Sequence, residues 1–194
     1  MKNSILVFIL VLTYTICNCQ VVSLTDYSSD YFTKGIRPPA GTYIKDENGY
    51  LDQFVGVWEA QIGENELVLY INKGTRTSRR DIKRDLLYLT YSVKPVDGPK
   101  NLLYLEDTRG ISEDDPLMVF GLHPASNGTY QLFYQGRDSS CGQTGYLFLK
   151  PIVGSDDSMD LYLKRYSQTI YEDICPNGSV QPIFPLTQTT FSRI

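Results

Sequence analysis

Few side chains in this sequence have the types and spacing that catalysis or metal binding requires. His123 is the only histidine, so a zinc centre built on several histidines is excluded by count. A serine could still meet His123 in space, because catalytic partners need not be neighbours in sequence. His123 precedes a proline, however, and belongs to no catalytic motif, which favours a structural role. The sequence has no nucleophile elbow and no phosphate-binding glycine loop, and we expect a protein that is not an enzyme.

Two acidic clusters, at 113–115 and 156–157, are the next candidates for chemistry. Paired carboxylates serve glycosidases or hold calcium. Neither cluster has the spacing of a calcium loop, and both adjoin residues that favour turns. We therefore expect solvated turns at both places, with no bound metal and no cofactor.

The basic segment Lys73–Asp85 is the strongest positive anomaly. It holds six basic residues and two acidic ones, although the whole chain has a net charge of −4. Such a cluster attracts phosphate, lipopolysaccharide or a sulfated glycan, and the candidate anion-binding residues are Arg76, Arg79 and Arg80. The competing interpretation is a solvated loop between two strands. The negative net charge argues against nucleic acid as a partner.

The first residues of the chain indicate export. The apolar run Ile5–Leu12 is too short to span a membrane, since a spanning helix needs about 20 apolar residues. It is typical of a secretory signal peptide, cleaved before Gln20. The alternative is a lipoprotein signal with Cys19 as the lipidated residue, but Asn18 departs from that pattern. We expect a signal peptide at 1–19, no transmembrane segment, and a secreted or periplasmic protein.

Removal of the signal peptide would leave two cysteines, Cys141 and Cys175. In an oxidising compartment such a pair is most simply a structural disulfide. A redox-active pair usually has Cys-x-x-Cys spacing, which is missing here. We predict a disulfide, which at this separation stabilises the fold by about 3–4 kcal/mol in the chain-entropy model.

Short runs of alternating apolar and polar residues fill most of the remaining chain. Val57–Ile62 and Glu66–Asn72, with a turn at Gly63 between them, have the pattern of a β-hairpin. The fifteen tyrosines of the chain also suit pleated sheets. No segment of a dozen residues has a convincing helical period. Further strands are predicted at Thr42–Lys45, Leu86–Lys94, Asn101–Glu106, Met118–Leu122, Thr129–Gln135, Tyr146–Val153, Met159–Tyr166 and Thr189–Ile194.

Successive hairpins that share one apolar face must bury that face against something. Closing the sheet into an up-and-down barrel buries the face and removes the exposed edges. We therefore predict an all-β protein with an antiparallel up-and-down barrel of 8–10 strands over residues 41–194. An extended arm at 20–40 would precede it. A two-sheet β-sandwich would bury the same face and is the alternative.

Phe54–Trp58 (FVGVW) adds a resemblance to a known fold family. The pattern Gly56-x-Trp58, at the start of the first long strand, resembles the signature of lipocalins and related calycins. In that family the tryptophan plugs one end of the barrel and a basic residue near the chain's end packs over its ring. The resemblance implies that Arg193 stacks on Trp58, a contact worth roughly 0.5–2 kcal/mol. A bulge glycine beside an ordinary core tryptophan has the same pattern.

A second resemblance covers more of the chain. Tyr43–Asp46, Leu51–Trp58 and Glu66–Leu69 are similar to segments in a family of small secreted proteins of unknown function from Bacteroidetes-type bacteria. The similarity extends from about residue 40 to the C-terminus and is clearest in its first third. It implies an exported lipocalin-like barrel and assigns no activity and no functional residue.

Two functional hypotheses follow from the predicted barrel. The first is a binding module that holds a small hydrophobic or amphipathic molecule among inward residues such as Leu69, Leu89 and Tyr91, in a cavity of about 300 Å³ or more. The second is a structural or interaction protein of the cell envelope, whose barrel is filled by its own side chains. Its partners would meet the tyrosine-rich surface, the arm or the basic segment. The sequence leaves both hypotheses open.

Overall fold

The structure is a computed structural model. It describes residues 20–27, 34–97, 105–125, 128–167 and 170–194. The signal peptide predicted at 1–19 and most of the strand predicted at Asn101–Glu106 lie outside these ranges. Among the described residues, no helix has the length and apolar character to cross a membrane.

Eleven strands account for most of the regular structure in the described residues. They are β1 (Val21–Ser23), β2 (Tyr43–Lys45), β3 (Gly56–Ile62), β4 (Asn65–Thr77), β5 (Lys83–Pro95), β6 (Glu106–Asp107), β7 (Val119–Pro124), β8 (Tyr130–Gln135), β9 (Thr144–Pro151), β10 (Ser158–Arg165) and β11 (Thr189–Arg193). One α-helical turn, Leu24–Asp26, and two 3₁₀ turns, Asp52–Phe54 and Ser139–Cys141, lie between them.

Eight of these strands, β3–β5 and β7–β11, close into an antiparallel up-and-down barrel. Each strand pairs with the next along the chain, and β5 reaches past the short β6 to pair with β7. The barrel closes where Arg193 of β11 lies opposite Trp58 of β3. The predicted all-β barrel is confirmed, and the sandwich alternative is excluded. The barrel is consistent with a lipocalin-like architecture.

Two parallel strands are added outside the barrel. β1 pairs with β2, and β2 pairs with the first residues of β5, in both cases in parallel. The first residues of the predicted arm, Val21–Ser23, are therefore an edge strand beside β2. Alternation alone predicts a strand at Tyr43–Lys45 but not its parallel partners, because a period of two contains no information about strand direction.

The hairpin of β4 and β5 is longer than the sequence predicts. Both strands have 13 residues, and they pair continuously from Asn65 with Pro95 to Thr77 with Lys83. The interpretation of Lys73–Asp85 as a loop is therefore wrong for most of its length, since only 78–82 connects the strands. This part of the hairpin extends past the barrel core, and most of its β4 side chains are exposed. The apolar alternation that identifies a half-buried strand is consequently absent there.

The barrel interior is filled by its own side chains. Each barrel strand contributes at least one side chain with an exposed fraction of 0–1%, and such a side chain has no room for a water molecule beside it. These residues, in strand order, are Trp58, Leu69, Leu89, Val119, Leu132, Leu147, Leu161 and Phe191. They belong to one continuous apolar core.

Candidate functional site

The Trp58 end of the barrel, which consists of Leu51, Phe54, Trp58 and Arg193, has the arrangement that the lipocalin resemblance implies. The 3₁₀ turn at Asp52–Phe54 brings the Phe54 carbonyl to the indole, and the indole Nε1 donates to it at 2.9 Å. The Arg193 guanidinium lies 4.3 Å from the Trp58 ring centroid. The predicted stack of Arg193 on Trp58 is confirmed.

Gly56 shows why this motif requires glycine. Its φ is +141°, a conformation that other residues rarely adopt. A Cβ atom at Gly56 would lie 3.3 Å from Arg193 Nη1 and 3.8 Å from Trp58 Nε1. Gly56, Trp58 and Arg193 therefore form one structural unit that closes this end of the barrel.

A charged network that the sequence analysis missed anchors the segment before this end. The fully buried Asp46 carboxylate forms an ion pair with Lys73 at 2.7 Å and accepts from the Leu51 backbone N at 3.1 Å. Lys73 also reaches Asp52 at 2.8 Å. Burial lowers the pKa of Lys73, but the hydrogen bonds to Asp46 and Asp52 outweigh it and raise the pKa overall. Lys73 belongs to the basic segment, but its ammonium group is paired with two carboxylates of the fold.

The other basic residues of the hairpin line a cleft of about 390 Å³, which we call the arginine cleft and define by Arg76, Arg79 and Arg84. Two of the predicted anion-binding residues, Arg76 and Arg79, belong to it, whereas Arg80 does not. The sequence analysis missed Arg84. A hairpin with its turn at 78–82 places Arg84 opposite Arg76. The spacing of these two arginines in the sequence could therefore have identified Arg84. The remaining described lining residues are Tyr27, Pro38, Ile44, Thr77, Ser78 and Ile82.

A second surface, on the outside of β7–β10, is made of aromatic rings. Four of its six rings contact one another in a row, and the other two form a separate stacked pair. The centroids of contacting rings are 4.9–6.4 Å apart. All are half-buried except Tyr166, which is exposed. We call this set the outer aromatic face, and its members are Phe120, Phe133, Tyr146, Phe148, Tyr162 and Tyr166.

His123 is buried and takes part in the fold. Its Nδ1 lies 2.9 Å from the Pro124 carbonyl and must donate to it, since a carbonyl oxygen only accepts. Burial lowers the pKa of His123 below its ordinary value. Among the described residues, no group of three His, Cys, Asp or Glu side chains is placed to hold a metal ion.

The two acidic clusters lie apart from each other. Asp114 of the first cluster is exposed and reaches Arg76 at 3.9 Å. Asp156 and Asp157 line a cavity of about 630 Å³ between the β9–β10 loop and the Trp58 end. The fully exposed Val153 also lines it, and Trp58 and Met159 at its base are only 1% exposed, so this cavity is a notch beside an exposed loop.

The opposite end of the barrel, which we call the Phe184 end, is closed by the segment 170–185. Phe184 is buried and meets the rings of Tyr91 at 5.0 Å and Tyr134 at 4.9 Å edge-on. The predicted disulfide between Cys141 and Cys175 is confirmed and fastens this segment to the start of β9.

A buried hydroxyl lies beneath this closure. The Tyr91 hydroxyl donates to the Glu106 carboxylate at 2.8 Å. Burial, together with neighbouring Tyr134 and Glu106, raises the pKa of Tyr91 above its ordinary range. Tyr91 therefore stays protonated as a hydrogen-bond donor inside the folded protein.

Comparison of the chain with family models, curated proteins and solved structures gives no match. The resemblance to the secreted family of unknown function stays a prediction. The barrel itself rests on the strand pairing described above.

Proposed function

We propose that this protein is an interaction module, a filled barrel that binds a partner protein through its outer aromatic face. One observation carries the proposal: six aromatic side chains, five on the neighbouring strands β7–β10 and one directly after β10, lie outside the barrel core, and each contacts at least one of the others. Cross-strand ring pairs stabilise a sheet by about 0.2–1 kcal/mol each, which accounts for single pairs but not for a patch across four strands. Contiguous apolar patches of this kind mark interaction sites.

The filled interior supports this hypothesis over a ligand held inside the barrel. Inward side chains on every barrel strand have exposed fractions of 0–1%, whereas an internal ligand requires a cavity of about 300 Å³ or more. Binding is therefore expected on the outer surface. Of the two functional hypotheses drawn from the sequence, the interaction protein is the better supported.

The geometry of the rings favours a protein over a sugar or a nucleobase. Phe148 and Tyr162 stack on each other with an interplanar angle of 11°, and Tyr146 meets Tyr166 at 80°. In each of these two pairs, at least one ring face is therefore covered by the other ring. Sugars and bases need a free ring face on which to lie, whereas side chains of a protein surface can pack against edges and gaps.

The rim of the face indicates the charge of the partner. Lys150 and Lys164 are exposed and follow Phe148 and Tyr162 by two residues, so they flank the stacked pair on the same side of the sheet. Within the part of the chain that the structure describes, neither lysine has a carboxylate within 4.0 Å. We therefore propose a partner surface with an acidic rim. A symmetric dimer is disfavoured, since it would bring these cationic rims together.

Site-specific crosslinking in the native host tests the proposal. A photoreactive benzoylphenylalanine replaces Tyr162 in one variant and Tyr70 in a matched control. Tyr70 is also a half-buried tyrosine, but it lies on β4 and is covered by Arg109 at 5.6 Å. We expect a discrete protein adduct from position 162 and none from position 70.

The partner identified by this adduct is then measured against purified variants. Phe148→Ala should weaken its binding by roughly 30-fold, the loss expected for a hot-spot residue of about 2 kcal/mol. Lys164→Glu should slow association and reduce its dependence on salt. Equal adducts from positions 162 and 70, or an adduct only with a second copy of this chain, would contradict the proposal.

A further inference from the structure

The hairpin tip concentrates positive charge that the fold does not neutralise. Arg76 and Arg84 lie directly opposite each other in the β4–β5 ladder, and like charges at such positions destabilise a sheet. Arg79 lies in the turn between the two strands. Across the described residues, neither Arg79 nor Arg84 has a carboxylate within 4.0 Å, and Arg76 has only the exposed Asp114 at 3.9 Å.

The nearest buried carboxylate does not compensate these arginines. Asp85 follows Arg84 in the chain, but its oxygens accept from the Tyr43 hydroxyl at 2.8 Å and the Thr75 hydroxyl at 2.9 Å. One Asp85 oxygen also accepts from the Asp46 backbone N at 3.0 Å. Asp85 is thus occupied by neutral donors of the fold.

Two of the three arginines are held in defined positions. Arg84 Nη1 donates to the Leu122 carbonyl at 2.7 Å. The Arg76 guanidinium stacks on the Phe120 ring at 4.8 Å. A guanidinium has five N–H donors, so these contacts leave donors for an anion while they reduce the entropy lost on binding.

The arginine cleft combines this charge with an apolar wall. The half-buried Tyr27, Pro38 and Ile82 present this wall, whereas Ile44 is only 1% exposed. The volume of about 390 Å³ lies in the range of small-molecule sites, about 300–1,000 Å³. Arginine matches phosphate, sulfate and carboxylate groups through paired hydrogen bonds.

We infer that the arginine cleft binds an amphipathic anion, with its anionic headgroup on Arg76, Arg79 and Arg84 and its apolar chain along Pro38 and Ile82. This site goes beyond the proposed protein-binding function, and it shares only Phe120, on which Arg76 stacks, with the outer aromatic face. The same headgroup chemistry is found in free amphiphiles and in anionic membrane lipids.

Calorimetric titration with decyl phosphate tests the site. Arg79→Gln should weaken binding about tenfold or more, since it removes a charge-assisted contact. Arg80→Gln is the matched control, because it removes the same charge from the adjacent residue that does not line the cleft. We expect it to change affinity by less than about twofold, as only screened long-range charge is lost.

The apolar wall is tested with a second pair of measurements. Inorganic phosphate should bind at least about tenfold more weakly than decyl phosphate, and Ile82→Ser should weaken only the latter. No binding of decyl phosphate, equal losses in Arg79→Gln and Arg80→Gln, or equal affinity for both phosphates would overturn the inference.

Vesicles of phosphatidylglycerol distinguish the two sources of the headgroup. Cosedimentation that Arg79→Gln abolishes and Arg80→Gln retains would support the site and assign the headgroup to a membrane lipid. Binding of decyl phosphate without cosedimentation would support the site and assign it to a free amphiphile. Cosedimentation that both variants retain, with no binding of decyl phosphate, would overturn it.

Discussion

The two ends of the barrel are closed by different means. At the Trp58 end, a one-turn segment and the strand that follows it close the barrel, and only Arg193 comes from far along the chain. At the Phe184 end, a segment of the long connection between β10 and β11 crosses the opening and is cross-linked to the start of β9.

This difference follows from chain entropy. The residues Leu51–Trp58 are neighbours in sequence, so little conformational freedom is lost when they pack together. The segment 170–185 belongs to a long connection whose described residues form no strand, and ordering it costs more. The disulfide offsets this cost by restricting the unfolded chain.

The polar chemistry of the two ends differs as well. The Trp58 end lies near His123 and the Asp46–Lys73 ion pair, whereas the Phe184 end contains the Tyr91–Glu106 hydrogen bond. Mild acid therefore destabilises the Trp58 end through His123, whose pKa burial lowers. The raised pKa of Tyr91 affects stability only at alkaline pH, where an unfolded tyrosine ionises and the folded one does not.

The largest expected effect is that of Trp58→Ala. Removal of this buried ring should lower the free energy of unfolding by about 3–5 kcal/mol, through lost burial and the cavity left behind. Urea denaturation followed by circular dichroism measures it, since Trp58 is the only tryptophan. Phe184→Ala is the matched variant at the other end. We expect a smaller loss in the free energy of unfolding there, because the disulfide still tethers the segment. An equal or larger loss would contradict this difference between the two ends.

Removal of the disulfide should have the next largest effect. The double variant Cys141→Ser and Cys175→Ser should lose about 3–4 kcal/mol in the chain-entropy model for a sequence separation of 34. Limited proteolysis should then cut within 170–185, while the emission spectrum of Trp58 in the native state stays unchanged. A shift in that spectrum would mean that the two ends are coupled through the core.

Arg193→Lys should destabilise the Trp58 end by about 1–2 kcal/mol. Lysine keeps the charge but loses the planar stack and the paired donation to the carbonyls of Val55 and Gln53. Arg165→Lys is the control at the Phe184 end, where the arginine donates to the Ser179 hydroxyl at 2.7 Å. Urea denaturation measures the free energy of unfolding of both variants. Similar losses in the two would show that the stack on Trp58 adds no stability beyond that of an ordinary arginine contact.

His123 should produce the smallest effect, and only in acid. Above about pH 6.5 the imidazole is neutral in both states. As the pH falls below that value, the unfolded chain binds a proton that the folded protein does not bind, because burial lowers the folded pKa. Stability should therefore fall between pH 6.5 and the lowered pKa. His123→Asn should flatten this part of the pH profile, and an unchanged profile would exclude His123 as its source.

Much of the fold could be predicted because barrel strands have one buried face. The strand pattern of Val57–Ile62 and the glycine two residues before Trp58 are both local signals. The hairpin tip was mispredicted, because residues 73–77 lie beyond the core and have no apolar alternation. The arginine cleft was predicted in part, since Arg76 and Arg79 are conspicuous by charge whereas Arg84 becomes relevant only through its register with Arg76.

The sequence by itself determined the β-class of this protein and its disulfide, because both depend on residue type and spacing along the chain, whereas the stack of Arg193 on Trp58 was implied by the resemblance to lipocalins. Only the tertiary structure decided that the barrel is filled, that Phe184 closes its second end, and that six aromatic rings share an outer face. Those features depend on how distant strands are placed in register and on the volume of the side chains they bring together. Neither quantity is contained in the period of a single strand.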